Sequence, residues 1–134
     1  VIRNGLMVAT WVLNDAGPGD GGFVCIPGSH KTNFIDAVPR DVLTQEYRPD
    51  YVIQPELRAG DVLLFTEALI HGTATWRGSQ ERRALLYKYS PPHSSWAKVP
   101  YNLQHYPNAS PQQQRLMVPA SVEDHAKVLN PAEY

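Results

Sequence analysis

The 134-residue chain is 43% apolar and 19% charged, the balance of one globular domain long enough to bury a core. A formal net charge of −1 with no basic run excludes the footprint of a nucleic-acid or anionic-membrane binder, and no apolar run approaches a transmembrane span. The single cysteine, Cys25, excludes an internal disulfide framework and points to a reducing, cytoplasmic compartment.

The chain opens at Val1 and enters a strand almost at once, with no signal-peptide pattern, so we read it as part of a longer domain. After the Asn4-Gly5 turn signal, residues 6–13 are β-branched, aromatic and apolar on both faces, which predicts a strand inside a sandwich or barrel. Residues 15–22, DAGPGDGG, are a turn cluster. Residues 23–26 predict a second strand, stopped by Pro27-Gly28, and the two strands are expected to pair as an antiparallel hairpin with a long tip. Residues 29–50 predict a surface excursion facing substrate, with a short helix within 36–45. Residues 51–54 resume a strand, short or at an edge because Pro55 follows. Residues 62–65, VLLF, predict a strand buried on both faces; residues 70–76 and 84–89 predict two more, joined by RGSQ. Beyond Pro91-Pro92 the chain turns irregular. Ser110, Pro111 and Gln113 then supply an N-cap, an N1 proline and a capping-box partner for a short helix, and residues 121–130 suit a second. Many short strands with Gly/Pro turns predict a mainly β fold, a jelly-roll barrel over residues 1–96, with 97–134 as an irregular, short-helical extension of the same domain.

Of the five histidines, His30 lies in a polar turn and His93, His105 and His125 lie in the irregular tail. His71 differs. It follows ALI and precedes Gly72, and Thr73 projects to its side of the strand at period two. Arg82 and Arg83 open the next apolar run, on what reads as a neighbouring strand. Successive strand residues point to opposite faces, so only one guanidinium can enter a barrel and fork a carboxylate. Periodicity leaves open which one does. Glu67 reads as a metal ligand, as a carboxylate behind the ligands or, more simply, as a surface residue, and Trp11 as a core side chain with an edge that can line a pocket.

GDGGFVCIPGSHKTNF, AGDVLLFTEALIHGTATW and RRALLYKYSP, in this order and spacing, resemble the phytanoyl-CoA dioxygenase family of iron(II)/2-oxoglutarate oxygenases over residues 4–96. The resemblance implies a double-stranded β-helix. It implies an enzyme that uses Fe(II), 2-oxoglutarate and molecular oxygen to hydroxylate a small organic substrate. It places the distal metal-ligating histidine on His71 and the arginine holding the far 2-oxoglutarate carboxylate on Arg82, which breaks the tie with Arg83. Thr73 matches a further cosubstrate contact and Trp11 a cosubstrate-pocket tryptophan. The family's metal site also needs an H-x-D pair upstream of the Trp11 strand, and neither His-x-Asp nor His-x-Glu occurs in the sequence. The pair is expected before Val1, the alternative being a relative that has lost the metal, and the 134 residues alone are expected to be inactive. The rival expectation is a jelly-roll module that binds a small carboxylate through Arg82 without metal.

Overall fold

The computed structural model describes residues 5–32, 37–91, 93–94 and 101–118. They fall into two compact units, Val1–Tyr89 and Ser90–Tyr134.

The first unit holds five strands: β1 (Met7–Val12), β2 (Gly22–Cys25), β3 (Val62–Thr66), β4 (His71–Ala74) and β5 (Ala84–Tyr89). They form two antiparallel sheets, one ordered β3-β1-β5 and one made of β2 and β4. The chain alternates between the sheets, which is the winding of a jelly-roll. This corrects the hairpin expected for the first two strands. Residues 13–21 are too long and glycine-rich for a tight turn, and they carry the chain across to the other sheet. It also corrects the reading of His71 and the arginines as lying on neighbouring strands. β4 and β5 belong to different sheets and pair with different partners.

Register decides which residues look inward. Val8 sits opposite Phe65 and Lys88, and Thr10 opposite Leu63 and Leu86. Their side chains form the inner face, where Val8 is fully buried. Met7, Ala9 and Trp11 share the outer face with Val62 and Leu64 of β3 and with Leu85 and Tyr87 of β5. Leu64 is 64% exposed there, so β3 is half-buried, not covered on both faces as four consecutive apolar residues suggest. The two inner faces meet through Phe23 and Phe65, whose ring centroids lie 4.9 Å apart.

The stretch over residues 51–54 is not a strand but a single bridge, in which Ile53 and Cys25 exchange backbone hydrogen bonds of 2.9 Å. Cys25 is buried, and burial pushes its thiol up, so it serves as core and not as a thiolate. Within the excursion, α1 spans Arg40–Leu43, shorter than expected and with Val42 buried. The turn after α1 lies against the back of the small sheet, where Gln45, held at φ 63, donates from Nε2 to the Thr73 carbonyl at 3.1 Å. The excursion thus covers the outer face of β2–β4, and the hollow of about 290 Å³ beneath it meets His71 at one end.

In the second unit, α2 (Pro111–Leu116) has the capping box expected: the Ser110 hydroxyl accepts from the Gln113 N–H while the Gln113 side chain accepts from the Ser110 N–H. The helix expected over 121–130 lies outside the described residues.

Gly21 shows how tightly β2 is entered. Its φ is +90°, and a Cβ there would stand 2.1 Å from the Thr75 carbonyl oxygen, a backbone atom with no room to retreat. Gly28 has a similar φ of +81° but open space around it. Gly21→Ala should destabilise the protein by about 2–3 kcal/mol and Gly28→Ala by about 1 kcal/mol, from the backbone term alone. Urea unfolding checks this, and equal costs would contradict it.

Candidate active site

A cavity of about 130 Å³ lies between the inner faces of the two sheets. His71 and Thr73, both on β4, and Arg82, from the segment just before β5, all line it. β2–β4 pairing puts Phe23 beside Thr73, and His71 two residues before Thr73 projects to the same side.

The imidazole of His71 is tightly specified. Its Nδ1 lies 2.7 Å from the Leu69 carbonyl oxygen, which can only accept, so Nδ1 carries the proton and donates. The lone pair is thereby assigned to Nε2. This is the arrangement that orients metal-ligating histidines, where a backbone carbonyl on one nitrogen frees the other. Phe23 stacks on the ring at 5.9 Å with 20° between planes, and Phe65 leans on it at 4.7 Å and 59°. Two aromatic neighbours and one short hydrogen bond leave the ring little freedom. The side chain remains 26% exposed, so Nε2 is accessible from the cavity.

The two arginines separate clearly. Arg83 turns to Glu81, with Nη2 to Oε2 at 2.7 Å, and that pair is largely solvated at the cavity rim. Arg82 passes across Gly22, where a Cβ would meet its Nε at 3.0 Å. Gly22 (φ +83°) therefore leaves both the turn and the path of the arginine open. Among the described residues no carboxylate pairs with Arg82, a guanidinium lining a cavity with its fork unclaimed. Asn14 adds an acceptor, since its Oδ1 is buried without a partner and the residue lines the same cavity.

Trp11 does not join them. Parity puts it on the outer face of β1, opposite Val62 and Leu85 and 47% exposed, whereas its neighbour Thr10 lines the cavity. Trp11 is thus corrected from a cosubstrate contact to an outer-face residue. His30 forms part of a short 3-10 turn, Ser29–Lys31, and His105 part of another, Leu103–His105. His125 lies outside the described residues. Among the described residues no three metal-ligating side chains cluster.

Sequence reasoning weighed Glu67 but passed over Lys88, and the two form a pair beside His71. Glu67 presents Oε2 4.0 Å from His71 Nε2, while its Oε1 accepts from Lys88 Nζ at 2.5 Å. Both side chains line the cavity and are mostly buried, at 20% and 29% exposure. The parity of β5 carried the signal for Lys88, which shares the inward phase of Ala84 and Leu86.

The phytanoyl-CoA dioxygenase family model matches residues 3–84. The chain belongs to this family. Among solved structures it is similar to HygX from Streptomyces hygroscopicus with nickel, 2-oxoglutarate and hygromycin B bound, at 31% identity and a TM-score of 0.54, over 65% of this chain and 36% of that one. The iron-bound form of HygX matches at 29% identity and 0.53, covering 65% and 38%. AviO1 from Streptomyces viridochromogenes Tue57 matches at 25% identity and 0.52, covering 72% and 42%. The chain thus spans little more than a third of the HygX chains it resembles. No curated protein matches it.

The hydrogen bond to Leu69 makes a direct prediction. In 15N-histidine-labelled protein, the neutral His71 ring should be the Nδ1–H tautomer, and a neutral ring protonated at Nε2 would break the assignment.

Proposed function

We propose that this chain is part of an iron(II)/2-oxoglutarate-dependent oxygenase that hydroxylates a small polar organic molecule. One observation carries the reading. An imidazole whose Nε2 is freed for a metal and a guanidinium without a carboxylate partner line a single cavity between the sheets. HygX, with iron in one structure and with nickel, 2-oxoglutarate and hygromycin B in another, supports the cofactors and the kind of substrate.

In this reading His71 would hold the iron through Nε2, with two further ligands not among the described residues. Iron and 2-oxoglutarate, when bound, supply the redox chemistry by which dioxygen hydroxylates a C–H bond. The chain's own contribution is placement. Arg82 would hold the far carboxylate of 2-oxoglutarate through its guanidinium fork, and the Thr73 hydroxyl would donate a further hydrogen bond to it. Phe23 and Phe65 hold the imidazole in one orientation and keep water from that side of the cavity. Arg83, already committed to Glu81, takes no part.

The intact protein tests this through succinate formation and 2-oxoglutarate binding. His71→Ala should abolish metal-dependent turnover. Arg82→Gln should weaken 2-oxoglutarate by about 10- to 100-fold, the equivalent of one lost charged contact of about 1.5–3 kcal/mol, whereas Arg83→Gln should stay within about twofold. Binding of 2-oxoglutarate that is indifferent to metal would turn the reading into that of a carboxylate-binding module.

A further inference from the structure

The Glu67–Lys88 pair is more than a tie between strands. Glu67 follows the end of β3, and its backbone N–H donates to the Leu6 carbonyl at 3.1 Å, which seats it at the entry to β1. Lys88 is on β5, at the far side of β1, so the ion pair crosses the central strand on the inner face. The strut engages only Oε1. Oε2 is left aimed at the small sheet, 4.0 Å from the one nitrogen of His71 that carries a lone pair.

The spacing says what the carboxylate is for. Two donors at adjacent positions of an ion with bonds of about 2.1 Å stand about 3 Å apart. At 4.0 Å, Oε2 stands wider of Nε2 than an adjacent ligand would, and within one hydrogen bond of solvent held on the ion. We propose that Glu67, clamped by Lys88, is a positioning residue that accepts a hydrogen bond from water on an open position of the ion carried by His71. The inference rests on the reading of His71 as a metal ligand. A carboxylate with one oxygen fixed by an ammonium and mostly removed from bulk water is pre-oriented, so it accepts such a bond without reorganising. Lys88 also offsets the charge that a lone Glu67 would add beside the site.

The test uses Mn(II) alone, bound to the intact protein, and reads two quantities. One is the Mn(II) dissociation constant. The other is the enhancement of water-proton relaxation, which reports water on the ion and its exchange. Glu67→Gln keeps the shape and removes the charge; Lys88→Met removes the clamp. Each variant should hold Mn(II) within about tenfold of wild type while changing the relaxation enhancement about twofold or more. His71→Ala should lose Mn(II) by about 100-fold or more. If Glu67→Gln loses Mn(II) as severely as His71→Ala, Glu67 is a ligand and the proposal is wrong. If both variants match wild type in relaxation, the pair is only a strut and the proposal is equally wrong. Failure of the underlying reading looks different, since His71→Ala would then bind Mn(II) as wild type does.

Discussion

The contact between Phe23 and Phe65 is the constraint on which the site depends. One ring comes from the small sheet and the other from the large one, and at 4.9 Å they set the approach of the two inner faces. The His71 ring lies against both. A cavity opens beside this cluster because the neighbouring inward residues, Thr73, Thr10 and Ala84, are too small to fill the gap. Aromatic bulk at one place and small side chains beside it together make a hollow with a rigid histidine in its wall.

Charge inside that hollow is arranged unevenly. Glu67 and Lys88 satisfy one another, Arg83 has Glu81, and Arg82 has no carboxylate among the described residues. Moving an unpaired guanidinium away from water is unfavourable unless an anion completes it. Arg82 keeps substantial solvent contact, which is how the ligand-free cavity tolerates it. A planar carboxylate entering between the sheets would find the fork already in place. Protein atoms satisfy the pair at the other end of the cavity, so it contributes direction and not net charge.

The back of the small sheet shows why the excursion is long. β2 and β4 are four residues each, too short and too few to stand alone. Ile53 adds one bridge to β2, Gln45 one hydrogen bond to β4, and Val42 packs into the hollow behind them. The excursion braces the strand that ends in the candidate metal ligand. It also lines the hollow that reaches His71, so it touches the site both through β4 and along that wall.

By itself the sequence determined five of the six strand positions it suggested, the mainly β class, the capped helix after Ser110 and the family. All of these rest on local signals: turn residues, period-two runs, caps and motif spacing. It also marked His71 and Thr73, because residues two apart on one strand share a face whatever the strand pairs with. Tertiary structure alone decided which strands pair, and so that His71 on the small sheet and Arg82 in the segment entering β5 face one cavity without lying on neighbouring strands. It alone turned Trp11 outward, since the phase of a strand that is apolar on both sides is set by its partners. And it alone brought Lys88 and Glu67 to His71. Those contacts join the turn after β3 and the start of β4 to β5, and no periodicity within a single strand encodes the neighbour that arrives from another.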